Sequence, residues 1–443
     1  MPPTLGLSMI VKNGGKDLRP CLESVRPLVD QIVIADTGST DDTVAIAREF
    51  GAVIVSHPWQ DHYAEARNAA LAPVTTDWVL VLDADEELLP EAARKLPQLL
   101  QNTPAEIGGY SLSIRNYVKV RFTSVLGTLS RDNHDTVERA KAAPAYADHR
   151  LCRLFRRHPG IYFQCRIHEG VELQIIHAGF RIAPSDLRIL HFGHLAETAG
   201  YRGKYDYYRN ILKLAIEEAP GFPHLWLQLA VVEKEFFSNP EEAIACARKA
   251  IDLYPQEYEA WSLIGTIRKI QNRHAEAVDA FEHLPDAGDY GVIKACSLGD
   301  LFHDTLRLKE ARAMYLAAQE RVAKSQTPFT SGAVAEVESK LGYIEVQIGM
   351  RKVGFRKLRH AIHLSPELLD NHNRLVKACV QAGDDHGAAD AAEATLRHFL
   401  SDKLFARAAA LRLKLQQSER GKNLLETGLG FFPESETLRR MQA

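Results

Sequence analysis

No two cysteines in this sequence are close enough to make a C-x-x-C pair: Cys21, Cys152, Cys165, Cys246, Cys296 and Cys379 are scattered over 443 residues. That spacing excludes a disulfide scaffold and a compact structural zinc site, and it fits free thiols in a reducing compartment. Charge of one sign is equally scarce. Lys and Arg number 54 against 57 Asp and Glu, a net charge of -3, so nucleic acid is not an expected partner. Long apolar runs are missing too: Trp78–Leu82, the most apolar short run, is far below the ~20 residues of a membrane-spanning helix. The N-terminus, MPPTLGLSMIVKN, shows neither the basic segment nor the long apolar core of a secretory signal. These absences predict a cytoplasmic protein without an integral membrane segment. What is present, 46% hydrophobic and 25% charged residues, is ordinary globular composition over a length that allows two or three domains.

The first ~90 residues alternate between two periods. Leu7–Val11, Gln31–Ala35, Ala52–Ser56 and Trp78–Leu82 read as strands. Asp17–Leu28, Thr40–Phe50 and Tyr63–Ala70 read as helices, the second opened by Ser39 or Thr40 as N-cap with Asp41 and Asp42 in its first turn. Such alternation predicts an α/β domain with a mainly parallel, Rossmann-like sheet covered on both faces, binding ligand beyond the carboxyl ends of its strands. Between about 105 and 195, strands are expected at Tyr110–Val120, Phe122–Leu126, Leu151–Phe155, Tyr162–Ile167 and Leu187–Phe192, with a polar loop over Ser130–Ala147.

From about residue 203 the pattern is helical and it repeats. Trp226, Leu229 and Ala230 recur 35 residues later as Trp261, Ile264 and Gly265, followed by Ala277 and Phe281. Ala243, Ala250 and Pro255 fit the first set with a one-residue slip; Leu341, Gly342, Ala361 and Pro366, then Leu375 and Ala388, follow later. Small residues where paired helices meet, with proline after the second helix, are the tetratricopeptide pattern. The stretch 286–335 fits poorly and reads as an irregular repeat. The expected division is a catalytic domain over 1–200, a linking helix over 201–219 and an all-α repeat solenoid over 220–443.

The sharpest chemical signal is Asp83-Ala84-Asp85, followed by Glu86, at a strand end. Two carboxylates there can hold a divalent cation that neutralises a leaving diphosphate. Alone the tripeptide is weak, because such triplets also cap helices. Its surroundings add weight: Met9-Ile10-Val11-Lys12-Asn13, Cys21-Leu22-Glu23-Ser24, the DTGSTDDT run from Asp36, Trp59, Ala66-Arg67-Asn68, Asp77-Trp78, and later Arg153-Leu154-Phe155-Arg156, Ile167-His168-Glu169 and His191-Phe192-Gly193. With these motifs the chain resembles the inverting glycosyltransferases of family 2, of GT-A fold, and within them the bacterial branch that carries tetratricopeptide repeats, including the sublancin-type peptide S-glycosyltransferases.

The resemblance implies a nucleotide-sugar donor, usually a UDP-sugar, and Mg²⁺ or Mn²⁺ as cofactor. It implies that Asp36 contacts the base, that Val11 lines the nucleotide site, that Arg67 lies near base and diphosphate, and that Asp83 faces ribose and metal. Asp85 would be the principal metal ligand and His191 a distal one, with His194 as competitor and a packed histidine as the plainer reading. Glu169 is the candidate general base, against an exposed loop glutamate or a salt-bridge partner, with Asp186 and Glu172 behind it. The family's usual glutamate after the first-strand asparagine is replaced here by Gly14-Gly15, and an aromatic expected after Gly193 by His194. The acceptor is expected to be a peptide or protein side chain selected by the repeats, which would also make protein–protein contacts; a lipid-linked or cell-surface glycan stands as the alternative, and homo-oligomerisation is left open. Three rival readings are an inactive repeat scaffold, a carboxylate-pair glycosidase, and a nucleotidyltransferase, for which Gly14-Gly15-Lys16 is only a faint phosphate loop.

Overall fold

In a computed structural model, which describes residues 2–119, 124–125, 128–195, 202–325 and 328–442, the first elements follow the sequence periodicity. They are β1 (Leu5–Val11), α1 (Gly15–Val25), β2 (Gln31–Asp36), α2 (Thr43–Glu49), β3 (Val53–Ser56), α3 (Tyr63–Leu71) and β4 (Trp78–Val81). β4 is buried throughout and β1 nearly so, as strands covered on both faces must be. Then come β5 (Glu86–Leu88), α4 (Pro90–Gln101), β6 (Ile107–Val118), β7 (Ser124–Val125), β8 (Thr128–Leu129), β9 (Arg131–Asp132), β10 (Ala145–Arg156), α5 (Glu172–His177) and β11 (Arg181–His191).

The main sheet has the order β3-β2-β1-β4-β10-β6-β11-β5, with β9 beside β10; β7 and β8 pair separately. β1 to β4 are mutually parallel, and β6 and β11 run the same way, while β10 and β5 run against them. The sheet is thus mixed but mostly aligned. One apolar cluster, containing Leu7, Leu18, Leu22, Trp78, Leu80 and Leu112, packs one set of residues. A second, containing Val79, Val81, Phe155, Phe163 and Ile175, packs another. The alternation of Val79 and Val81 against Trp78 and Leu80 follows from the two-residue period of a strand.

Several expectations need correction. α2 starts at Thr43, and Asp42, not Ser39 or Thr40, stands at its N-cap. The Asp41 carboxylate accepts from the Thr43 amide and hydroxyl, which delays helical geometry. Tyr162–Ile167 is not a strand. Its alternating burial is that of a loop whose backbone is tied to α3: Asn68 pairs with both the amide and carbonyl of Phe163, and Arg166 O accepts from Tyr63 N. Cys165 and His168, with φ of 76° and 57°, break any extended path. The loop expected over Ser130–Ala147 contains β9, a short 3₁₀ turn at Glu138–Ala140 and the start of β10. The strand expected at Phe122–Leu126 falls largely outside the described residues.

By compactness the chain divides into Met1–Ile264 and Gly265–Ala443. The first unit continues past the sheet with α6 (Arg202–Glu218), α7 (Pro223–Glu235) and α8 (Pro240–Leu253). The second contains the helix pairs Gly288–Asp304 with Leu308–Lys324, Ser331–Gln347 with Arg351–Leu364, Leu369–Gln381 with Asp385–Thr395, and Asp402–Lys414 with Ser418–Phe431. The repeat has a hydrogen-bond signature. Trp226 Nε1 donates to Pro220 O (2.9 Å), Trp261 Nε1 to Pro255 O (3.1 Å), and His372 Nε2 lies 3.0 Å from Pro366 O, the same six-residue offset each time. Over 286–335, where the repeat pattern fits poorly, both helices of the pair are 17 residues long, against 13 and 14 for α7 and α8.

Candidate active site

Because β1, β2, β4, β6 and β11 point the same way, their carboxyl ends share one edge of the sheet. Val11 ends β1, Asp36 ends β2, Asp83 follows β4 by two residues, and His191 ends β11. β5 then folds back along β11, pairing Glu86 with His191. This brings the acidic motif to a histidine more than a hundred residues away. A cavity of ≈ 1030 Å³ opens at this edge, bordered by Val11, Thr37, Arg67, Asp83, Asp85, Arg153, Glu169 and His191 among others.

Asp83 is clamped. Arg67 Nη2 donates to its Oδ1 at 2.5 Å and Arg153 Nη2 to its Oδ2 at 3.0 Å. Burial alone would raise the Asp83 pKa, but the two guanidinium groups outweigh it and hold the carboxyl well below its ordinary range. Arg153 also donates to Glu86 Oε1 at 3.1 Å, and Glu86 Oε2 accepts from Asp83 N at 2.9 Å. Glu86, buried, has its pKa raised by that burial and by Asp83. Arg67 Nε reaches Glu169 Oε1 at 3.0 Å, so one buried guanidinium joins the acidic motif to the candidate base. Arg67 Nη1 and Arg153 Nε are buried without a protein acceptor, a costly state that an anionic ligand would relieve.

Asp85 stands apart from the clamp. Its Oδ2 is 3.5 Å from His191 Nε2, and Phe192 N donates to its carbonyl. His191 Nδ1 is 2.7 Å from Asn116 Oδ1, and Asn116 in turn meets His149 and the Ala147 carbonyl. A contact to Nδ1 of this kind orients the ring and leaves Nε2 toward Asp85. Burial would lower the His191 pKa, but Asp85, then Glu86 and Asp83, raise it. A carboxylate oxygen and an oriented imidazole nitrogen are a donor set that suits a divalent cation. Among the described residues, no group of three or more His, Cys, Asp or Glu converges as a complete cage.

The other sequence-derived residues are placed as follows. Val11 borders the cavity, and its carbonyl accepts from the Thr37 amide and hydroxyl at 2.9 and 3.1 Å. Asp36 is beside the cavity rather than on its wall, accepting from Ser39 N at 3.1 Å and so shaping the turn that carries Thr37. Asn13, at φ 53°, accepts from Thr40 N and donates its own amide to Ser39 Oγ, locking the DTGSTDDT run against the end of β1. The glycines after Asn13 now have a reason: a Cβ on Gly14 would come within 2.7 Å of Val11 Cγ2 and 3.0 Å of Ala84. The side chain of His194 is outside the described residues. Sequence reasoning assigned no role to Arg153, Glu86, Asn116, Tyr208 or His224. Arg153 and Glu86 lay inside quoted motifs, whereas Asn116 has no local motif and Tyr208 reads as ordinary helix core.

With this geometry in view, comparison with known proteins is specific. Residues 7–159 match the glycosyl transferase family 2 model. The chain is 33% identical over 231 residues to a TPR repeat-containing protein of Synechococcus elongatus, covering 51% of each. It is 25% identical over 254 residues to the SPbeta prophage-derived glycosyltransferase SunS of Bacillus subtilis, covering 57% of this chain and 54% of that one. An uncharacterized glycosyltransferase of Rickettsia felis is 29% identical over 150 residues, 29% of this chain and 52% of that one. The chain thus spans about half the length of the curated relatives it matches. The N-terminal domain is a family 2 glycosyltransferase domain, and a tetratricopeptide-like helical region follows it. Among the described residues no helix is long and apolar enough to cross a membrane.

Proposed function

We propose that this chain transfers a hexosyl or N-acetylhexosaminyl group from a nucleoside diphosphate sugar, a UDP-sugar, to a polypeptide side chain, with inversion at the anomeric carbon. The observation that carries the reading is the Asp83 clamp: a doubly arginine-bound carboxylate, two unsatisfied buried guanidinium N–H groups, and a neighbouring Asp85–His191 pair, all on one cavity at the carboxyl edge of the sheet.

In this reading the acceptor heteroatom attacks C1 of the sugar in line. The new bond forms as the C1–oxygen bond to the diphosphate breaks, the nucleoside diphosphate departs, and Glu169 takes the acceptor's proton. Glu169 Oε1 is held by Arg67, and Oε2 makes no hydrogen bond among the described residues. Val11, Thr37 and the turn shaped by Asp36 border the nucleotide. The free N–H groups of Arg67 and Arg153 suit the diphosphate. Asp83, with an arginine on each oxygen, serves ribose or metal through its remaining lone pairs. Asp85 and His191 would hold Mg²⁺ or Mn²⁺, which when bound supplies charge neutralisation at the leaving group. Functionally we divide the chain at 1–200, 201–219 and 220–443, with the repeats helping to select the acceptor through an extended surface.

The test is release of nucleoside diphosphate from a panel of nucleotide sugars by the full chain, with Mg²⁺ or Mn²⁺. Release that is lost in excess chelator and in Asp85→Asn is expected. Undiminished release under chelation would remove the metal from the scheme, and no release from any donor would remove the scheme.

A further inference from the structure

The cavity has two unlike walls. One carries the Asp83 clamp, Asp85 and His191. The other is aromatic, made by Trp59, Tyr63, Tyr207, Tyr208, Phe222 and His224. Three polar groups of this second wall, the Trp59 indole and the Tyr207 and Tyr208 hydroxyls, are engaged with one another or with neighbouring loops. Trp59 Nε1 donates to the Tyr207 hydroxyl, which donates to Asp61 Oδ1 at 2.5 Å, and the Tyr208 hydroxyl is 3.1 Å from His168 Nε2. Trp59 meets Tyr63 edge-on at 4.7 Å between centroids, and His168 meets His224 likewise at 4.8 Å. Burial, with His224 beside it, pushes the His168 pKa down to about 3, and burial lowers that of His224, so both imidazoles are neutral near pH 7. Asp61 accepts from Tyr207, and Glu169 and Glu172 border the cavity, while Arg67 and Arg153 are tied up with carboxylates, Arg67 with Asp83 and Glu169 and Arg153 with Asp83 and Glu86.

We propose that this wall is the acceptor subsite and that it takes a polypeptide segment in which an apolar or aromatic side chain adjoins the modified residue. The proposal rests on the glycosyl-transfer reading above and names its acceptor class. A sugar acceptor would bring several hydroxyls against a wall whose donors and acceptors are largely engaged, and each hydroxyl buried without a partner is penalised. An aromatic or aliphatic side chain carries no such penalty and gains apolar and ring–ring contact. Acidic flanking residues would meet Asp61, Glu169 and Glu172. The wall is built from two parts of the chain: Trp59 and Tyr63 lie within the segment 7–159 that matches the family, while Tyr207 and Tyr208 on α6 and Phe222 and His224 at the start of α7 lie beyond it.

The experiment incubates the full chain with UDP-glucose or UDP-N-acetylglucosamine, Mn²⁺, and two acceptor sets in separate tubes. One is a library of ten-residue peptides with a central Cys, Ser, Thr or Asn and randomised flanks; the other is a panel of neutral oligosaccharides. Mass spectrometry reads products, and donor hydrolysis is measured in every tube. Modified peptides should be enriched at least fivefold in Phe, Tyr, Trp, Leu or Ile beside the modified residue and depleted in Asp and Glu. For the best peptide, Phe222→Ala and His224→Gln should each raise the peptide KM at least tenfold more than the donor KM. Peptides modified without flanking preference, oligosaccharides modified in place of peptides, or equal changes in both KM values overturn the subsite. Donor hydrolysis without transfer to any peptide overturns it too, together with the polypeptide acceptor, and leaves the nucleotide-sugar donor reading standing. Absence of hydrolysis and transfer together overturns both.

Discussion

Asn116 shows how a residue with no motif can govern one that has it. His191 has two ring nitrogens, and which of them faces Asp85 depends on what holds the other; here Asn116 Oδ1 does so at 2.7 Å. Asn116→Leu should therefore leave the fold in place and raise the Mn²⁺ concentration for half-maximal turnover by about 10–100-fold, the usual penalty for losing a partner that orients a metal ligand. A metal titration of wild type and variant checks it, and coincident curves would free His191 of the role. Glu169 invites a second test. Glu169→Gln keeps shape and the contact to Arg67 but loses basicity, so turnover should fall about 10²–10⁴-fold with donor affinity little changed. A loss of threefold or less in a turnover assay would pass the role to Glu172, which also borders the cavity; Asp186, exposed within β11, does not.

At the scale of elements, close backbone approach decides what a helix pair tolerates. Within Ser331–Gln347 and Arg351–Leu364, a Cβ on Gly342 would come 2.8 Å from the Gly354 carbonyl oxygen, and one on Gly354 2.8 Å from the Val346 amide. These are backbone atoms and cannot rotate aside. Gly354→Ala is expected to destabilise the second unit by about 1–3 kcal/mol, the usual range for overpacking, read as a lower urea midpoint with unchanged slope. The same reasoning explains the glycine that follows Asn13. Of its neighbours, Val11 borders the cavity and Ala84 sits between Asp83 and Asp85, which border it too, so Gly14→Ala should weaken nucleoside diphosphate binding measured by calorimetry, although Gly14 touches no proposed ligand itself.

At the scale of the whole molecule, the second unit has its own polar tie. Asp300 accepts from Lys269 at 2.9 Å, Lys340 at 2.8 Å and the Tyr315 hydroxyl at 2.7 Å, joining helices separated in sequence. Burial would raise the Asp300 pKa, but Lys340 and Lys269 outweigh it and set it below the ordinary value. A carboxyl whose folded pKa is depressed stabilises fully above its unfolded pKa, near 3.8, and loses that contribution as pH falls toward the lower folded value. Asp300→Asn leaves two lysines without their carboxylate and should cost about 3–5 kcal/mol near pH 7, as broken buried pairs do. The gap between wild type and variant should narrow below pH 4 in urea titrations. A gap independent of pH would mean that the ion pairs contribute nothing.

Much of the first ninety residues was legible because its information is local. Period-two and period-3.6 patterns laid out β1 to β4 and α1 to α3, strand-end chemistry singled out Asp36, Asp83 and Asp85, and the family resemblance added Arg67. The helical repeat was legible for the same reason, since each tetratricopeptide-like unit contacts mainly its neighbours and writes its spacing into the sequence. What the sequence could not convey was pairing across distance. Local periodicity is the same for a strand in either direction, so the reversal of β10 between β4 and β6 was invisible. The alternation at Tyr162–Ile167 looked like a strand, and only the hydrogen bonds from Asn68 and the positive φ of Cys165 and His168 made it a loop. The return of β5 along β11, which sets His191 beside Asp85, the arginine pair on Asp83, and the aromatic wall supplied by α6 and α7 were likewise decided by tertiary structure. Each depends on residues tens to more than a hundred positions apart, where chain entropy opposes contact until a packed sheet holds them together.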